Sequence, residues 1–353
     1  MNEDRLFADL HVIQTLPPSN VNRDDTGSPK SAVYGGVRRA RVSSQSWKRA
    51  MRKYFLDNSE LELGVRSLNI GEYVAEKISK LDSTINMDQA IKMADKVLNL
   101  AKVKSKDGKV KALFFLGEKQ AEKLAAAAVN GVEDKGQINS ILNANPAIDI
   151  ALFGRMVADD PSLNEDASAQ VAHAISTHAV QSEFDYFTAV DDLAASDNAG
   201  AGMLGTIEYN SSTLYRYANI AIHELSKQIG DKEATINAVK LFAEAFANSM
   251  PTGKINTFAN QTIPQMIIIN LRRDRPVNLV SAFESPVRAN HGYVGPSIEA
   301  LCQELGRVQK FVKEPVCTLY LTADGVGKAI DGQQEDNLTI MLNDLGNALE
   351  RCL

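Results

Sequence analysis

The chain has 353 residues, enough to bury a sizeable core and to hold more than one structural unit. With 44% hydrophobic and 23% charged residues it is not a disordered or low-complexity chain, and no apolar run approaches the ~20 residues of a membrane span. A net charge of −6 argues against a polyanion binder overall, so any nucleic-acid contact has to be local.

Residues 6–16 alternate loosely and carry enough β-branching for a first strand, which Pro17-Pro18 is expected to end. The stretch 22–53 follows, reading NRDDTGSPKSAVYGGVRRARVSSQSWKRAMRK. Between Asp25 and Asp57 there is no acid. Lys30, Arg38, Arg39, Arg41, Lys48, Arg49, Arg52 and Lys53 supply eight positive charges there, which leaves −14 for the rest of the chain. Gly35-Gly36 is a backbone-permissive hinge. If 37–42 (VRRARV) is a strand, Arg39 and Arg41 share a face with Val37, and Arg38 shares the other with Ala40 and Val42. Ser43 or Ser44 is a good cap for the helix that follows. Trp47, Ala50, Met51 and Tyr54 form its apolar stripe, with Gln45, Lys48, Arg49 and Arg52 opposite. Hydroxyls, an amide, cations and free backbone N–H groups together suit a phosphate backbone. A charge run alone is more often a solvated helix face. The unbroken absence of acids and the strand arginines favour the nucleic-acid contact.

From 57 to about 182 the texture turns to Ala, Lys, Leu and Glu with helical period, at 71–81, 87–100, 118–129 and 137–142. This predicts an all-helical insertion. Within it, 104–116 resembles a hairpin-like turn around Asp107-Gly108, and its four lysines read as solubility rather than nucleic-acid contact. The Gly-rich stretch 194–205 lies between two runs that can pair, although composition alone makes it a surface loop. Strands are expected at 209–223, 265–271 and 316–322, and helices at 231–250, 296–312 and 335–352. With the first strand and the basic helix, these support a βαββαβ-like core interrupted by the insertion.

The pattern NRDD…K…YGG…RR.R.SSQS.KRAMRK resembles the start of the crRNA-binding backbone subunits of type I-E CRISPR Cascade, the CasC family. In order along the chain come ALFGRM (151–156), AHAISTHAVQSEFDYFTAVDDL (172–193), LGT.E (204–208), YRYANI (215–220) and AFE…V.A..G….PS (282–297). The resemblance implies an α+β fold: a modified RRM/ferredoxin-like palm (1–56 and 209–353), helical fingers (57–187) and a protruding β-hairpin thumb (188–208). It also implies a non-catalytic subunit without cofactor or metal. Such a subunit polymerises head to tail along the guide spacer and presents crRNA for pairing with target DNA. Its partners would be crRNA, target DNA through the guide, neighbouring copies and other Cascade subunits.

By the same match the RNA ligands are Lys30, Arg38, Ser43, Gln45, Lys48, Arg49 and Arg52, with Arg288 where the family has a lysine; the strand reading adds Arg39 and Arg41. Met203, Leu204 and Thr206 would form the thumb wedge. Val37 and Asn290 depart from the family, which has basic residues there. No RNP1-type aromatic sequence is present, so base stacking as in an ordinary RRM is not indicated.

Other chemistry is weakly signalled. Gly325-Val-Gly327-Lys328 lacks the Ser/Thr and upstream glycine of a phosphate loop, and His173 and His178 are spaced wrongly for a helical metal pair. Cys302, Cys317 and Cys352 are odd in number and lack CxxC spacing, so they read as reduced thiols of a cytoplasmic protein. The start, MNEDRLFADL, has no signal-peptide character. Two rivals remain: a metal-dependent ribonuclease using Asp24-Asp25 or Asp191-Asp192, and a free-standing single-strand RNA-binding protein.

Overall fold

The computed structural model describes residues 5–59, 61–157, 159–189, 204–323 and 330–353. The chain divides into two units, one of Met1–Tyr54, Val171–Asn219 and Phe242–Cys352, the other of Phe55–Gln170 with Ile220–Leu241. The first begins with strand β1 (Phe7–Ser19), the hairpin of β2 (Ser31–Tyr34) and β3 (Val37–Val42), and helix α1 (Ser44–Asn58), whose last residues belong to the second unit. β1 continues through Pro17-Pro18 rather than ending before them. Its pairing with the neighbouring strand stops at Gln14, so the missing proline N–H groups remove no bond from that ladder.

The second unit contains β4 (Gly64–Ser67), α2 (Ile70–Leu81), α3 (Met87–Leu100), β5 (Ser105–Lys106), β6 (Lys109–Val110) and β7 (Phe114–Gly117). α4 (Glu118–Val129), α5 (Lys135–Asn143) and α6 (Ile148–Phe153) follow. The helices follow the expected periodicity closely. Asn86 caps α3 with a full capping box, and Val74, Ile78, Ala94, Leu98, Leu124 and Leu142 fill a common core. The insertion is not all helical, because β4 and β7 pair antiparallel. Asp107 and Gly108 both adopt positive φ in the β5–β6 turn, the geometry that Asp-Gly favours. Two of the nearby lysines, Lys102 and Lys104, pair with Asp160 and Asp159. Arg155, in the ALFGRM motif, is buried with its guanidinium donating to the carbonyls of Leu142 and Leu163, and burial lowers its pKa to about 10.

β8 (Ala169–Val171) leads back to the large sheet, followed by β9 (Ala174–Ser176), β10 (Glu183–Thr188) and β11 (Leu204–Ala221). β11 runs straight into α7 (Ile222–Ile229), and the strand expected at 209–223 overlaps the first two residues of this helix. α8 (Lys232–Asn248), capped by Asp231, α9 (Ile255–Phe258), β12 (Pro264–Arg272), α10 (Val294–Val308), β13 (Cys317–Thr322), β14 (Gln333–Gln334) and α11 (Leu338–Cys352) complete the chain. Among the described residues the sheet has ten strands, with the path β14-β13-β12-β1-β11-β9-β3-β2 and with β8 and β10 both paired to β11. Because β9 and β10 pair with β3 and β11, residues 171–188 belong with the sheet. The expected insertion, 57–187, therefore runs past the second unit and leaves out 220–241.

One face of this sheet packs Ile13, Tyr215, Met266, Ile268 and Tyr320 against Ile298, Leu301 and Leu305 of α10. A line of buried polar groups crosses that face. Asp9 accepts from the Tyr217 hydroxyl at 2.7 Å and from the Val277 amide at 3.0 Å, with the Arg272 guanidinium 3.4 Å away. Burial pushes the Asp9 carboxyl up to about 7, against the pull of those three groups. His11 bonds the Tyr215 hydroxyl, and burial lowers it to about 3, so it stays neutral.

The other anchor lies under α1. Trp47, Met51 and Phe55 are its fully buried positions. The Arg216 guanidinium lies 3.7 Å from the centre of the Trp47 ring and 4.5 Å from that of Phe246. It donates to Gln14 and to the Phe246 carbonyl, and burial lowers its pKa to about 9.

Two outcomes are expected. Trp47→Ala should cost about 3–5 kcal/mol in urea unfolding, with the slope unchanged, because the lost ring leaves a cavity beside a buried guanidinium. Asp9 has a raised folded pKa, so its contribution is full below the unfolded value of 3.8 and lost as pH rises through about 7. Asp9→Asn should flatten the decline in stability across that window.

Candidate nucleic-acid interface

The basic segment folds as a strand hairpin followed directly by a helix. Gly35 and Gly36 both take positive φ in the β2–β3 turn. A side chain at Gly35 is impossible because its Cβ would land on the Glu284 carbonyl oxygen. The loop at 280–284 thus lies directly on this turn, and the Tyr34 hydroxyl donates to the Val280 carbonyl.

Ala40 and Val42 of β3 face the core with Trp47. Ser43, rather than Ser44, caps α1: its Oγ and its carbonyl accept from the Ser46 amide, and its own amide donates to Asn22 Oδ1. No acid occupies the first turn of α1. Gln45, Arg49 and Lys53 are exposed along the helix, Lys48 and Arg52 half-buried, and burial lowers the Lys48 pKa. Arg38 projects from β3 into solvent, and Lys30 is half-buried on the strand side. Burial, and then the charges of Arg41 and Lys30, lower the pKa of His173 beside them. Arg288 is exposed in the loop before α10, as is Asn290.

Three residues expected to touch RNA are placed otherwise. Arg39 is fully buried: its guanidinium donates to the carbonyls of Tyr34 (3.1 Å), Ser176 (3.0 Å) and Phe283 (2.8 Å), so it is turned inward, away from any phosphate at the surface. Arg41 donates to the Ser31 carbonyl and to His173 Nδ1, and is only half-buried. Ser43 is buried, with its hydroxyl occupied at the helix start. Arg38, Arg49 and Arg288 are the exposed arginines of the set.

Beside this surface rises the stem of a hairpin. β10 and β11 pair from Glu183↔Tyr209 to Thr188↔Leu204, and the ring of Phe187 occupies the space a side chain on Gly205 would need. Met203 and Asp191-Asp192 lie outside the described residues, as does Gly325-Val-Gly327-Lys328. Leu204 and Thr206 are exposed, and Tyr186 is the direct cross-strand partner of Thr206. Phe184 and Tyr186 are 68% and 65% exposed on that face, an apolar ledge that the sequence reading missed. The signal was present as a period-two aromatic alternation in EFDYF. At the stem foot, hydrogen bonds from Ser182 and Ser28 and the charge of Arg38 lower the pKa of Glu208.

Of the acids considered for catalysis, Asp24 is engaged locally. Asp24 Oδ1 accepts from the Thr26 hydroxyl and from the amides of Thr26 and Ser28, which closes its own turn and lowers its pKa. Among the described residues no group of three His, Cys, Asp or Glu side chains is arranged to hold a metal. His173 is exposed on the basic side, whereas His178 is buried beneath the loop that carries Arg288.

Comparison with known proteins agrees with this architecture. A search of curated proteins returned no match. Among solved structures, a chain described as part of a "CRISPR RNA-guided surveillance complex, pre-nicking" is 32% identical. It covers 97% of this chain and 100% of its own, with a TM-score of 0.86. A second, described as a "CRISPR RNA-guided surveillance complex", is 29% identical over 97% of this chain and 99% of its own, with a TM-score of 0.66. The fold is therefore α+β, with the RRM-like palm of such surveillance-complex subunits. The family model described as "CT1975-like protein" matches residues 8–347, and the chain belongs to the CT1975-like protein family.

Proposed function

We propose that this protein is a non-catalytic, crRNA-binding backbone subunit of a CRISPR surveillance complex, of the type I-E Cascade kind, working in the cytoplasm. The observation that carries the reading is the basic turn-strand-helix surface with Arg38, Gln45, Arg49 and Lys53 exposed, on a chain with charge −14 elsewhere. Near full-length likeness to surveillance-complex chains supports placing that surface on a guide RNA. Arginine and lysine contacts to phosphate hold any sequence equally, which suits a carrier whose specificity comes from base pairing with target DNA. The Asp24 carboxylate, satisfied within its own turn, favours the non-catalytic reading over a ribonuclease. No described helix is long and apolar enough to cross a membrane, and the three cysteines are unbridged, both compatible with this site of action.

Neighbouring copies enter through the hairpin. Its stem exposes Phe184, Tyr186, Leu204 and Thr206 on one face, a surface able to lean on bases held by the next copy. A contact of this kind joins two different surfaces and propagates without closing, so other subunits would have to cap the ends.

Two measurements test the reading. Arg38→Ala, Arg49→Ala and Arg288→Ala should each flatten the salt dependence of RNA binding by about 0.7, equally for all guide sequences. Arg39→Ala should instead lower the melting temperature, because several buried carbonyls lose their donor at about 1–3 kcal/mol each. An effect that varied with guide sequence would overturn backbone-only binding. Native mass spectrometry should show small species without RNA, and with crRNA a copy number rising stepwise with spacer length. A ring of fixed size, or Mg²⁺-dependent RNA cleavage lost in Asp24→Ala, would overturn the proposal.

A further inference from the structure

His178 is a buried titratable side chain that the interface described above does not use. Its Nδ1 lies 2.9 Å from the Ala179 carbonyl oxygen, and its Nε2 lies 3.0 Å from the backbone nitrogen of Thr213 in β11. A carbonyl only accepts and a backbone amide only donates. The ring is therefore neutral, with its single proton on Nδ1. The Tyr293 ring stacks on it, with centroids 3.7 Å apart and planes 9° from parallel.

Tyr293 ends the loop that carries Arg288. The loop begins at Val287, whose amide donates to the Thr177 carbonyl at 2.9 Å. At its far end the Ser297 hydroxyl donates to the Tyr293 carbonyl and lies 2.8 Å from the Thr177 hydroxyl. Both ends of the seven-residue arc 287–293 are thus fastened to consecutive residues, Thr177 and His178.

We propose that His178 is the positioning residue of the Arg288 loop, and that a second proton on its imidazole loosens this loop and weakens its hold on RNA. The proposal rests on the reading of Arg288 as a phosphate contact. A second proton would put Nε2–H against the Thr213 N–H, donor to donor, and leave that buried amide without an acceptor. The surroundings oppose such a charge. β11 contributes the Thr213 amide, the start of α10 contributes the Tyr293 ring, and β3 contributes Arg39, the charged group that acts on the imidazole. Burial and then Arg39 lower the pKa from 6.5, against the Ala179 carbonyl. With the folded value depressed, the support from the neutral ring is complete above 6.5 and is lost as pH falls below it.

The test uses the full chain at about pH 7.5 and about pH 5.5, with wild type, His178→Gln and Tyr293→Leu. The first readout needs no RNA: amide hydrogen exchange of residues 287–293, corrected for intrinsic rates. Acid should reduce protection in wild type but not in His178→Gln, which cannot titrate, and Tyr293→Leu should lack protection at both pH values. The second readout is affinity for a single-stranded guide RNA. It should fall at least about fivefold in wild type, the low end for two linked sites, and by less in His178→Gln and in Arg288→Ala. A residue that merely supports the fold would lower melting temperature in His178→Gln and leave the pH dependence of wild type in place. That result, or protection in 287–293 indifferent to pH and to Tyr293→Leu, would overturn the proposal. Pronounced pH-dependent exchange with no RNA binding at either pH would instead overturn the RNA-binding reading on which it rests.

Discussion

The candidate interface depends on one buried guanidinium. Arg39 joins three parts of the chain that are remote in sequence: the β2–β3 turn through Tyr34, β9 through Ser176, and the 280–284 loop through Phe283. Every acceptor is a backbone carbonyl, and no carboxylate neutralises the charge through a hydrogen bond to it. A planar fork with five donors matches carbonyls that diverge from one centre, which an ammonium group on a flexible stem would not do as well. Gly35 is the complementary requirement, because only a residue without a side chain lets the Glu284 carbonyl come down on the turn. The exposed cations are therefore the outer layer of a joint whose inner layer is also cationic.

The same device recurs. Arg155 gathers the carbonyls of Leu142 and Leu163 in the second unit, and Arg216 takes Gln14 and the Phe246 carbonyl between two aromatic rings in the first. Burial lowers the pKa of all three arginines, opposed by the charges of Tyr34 and Glu284 at Arg39 and of Glu165 at Arg155, while carbonyl dipoles and, at Arg216, π faces add to the support of the charged form. Such sites hold irregular backbone in place through carbonyl acceptors.

How far the sequence could be read followed the distance over which each feature is decided. The helices at Ile70–Leu81, Met87–Leu100 and Glu118–Val129 were legible because periodicity, caps and turn residues are local. The pairing of Gly64–Ser67 with Phe114–Gly117 was not, since each run is four residues and its partner lies some fifty residues away. Helix Ile222–Ile229 was hidden because it continues a long, largely buried strand without a Gly or Pro break. At the interface the basic segment and its helix cap were plain, but Arg38 and Arg39 are chemically identical neighbours. One is in solvent and the other in the core, and a loop 244 residues onward decides which. Phe184 and Tyr186 carried a legible alternation that was passed over beside the Gly-rich stretch.

The stacking of Arg216 on Trp47 has a practical consequence. The chain contains a single tryptophan, and it lies beneath the helix that carries Gln45, Lys48, Arg49 and Arg52. Indole emission from this protein therefore originates at one place, a dry ring facing a cation, where colour and quenching respond to any shift of that helix. The molecule carries its own fluorophore at the root of its most basic surface, and no label has to be attached to follow what happens there.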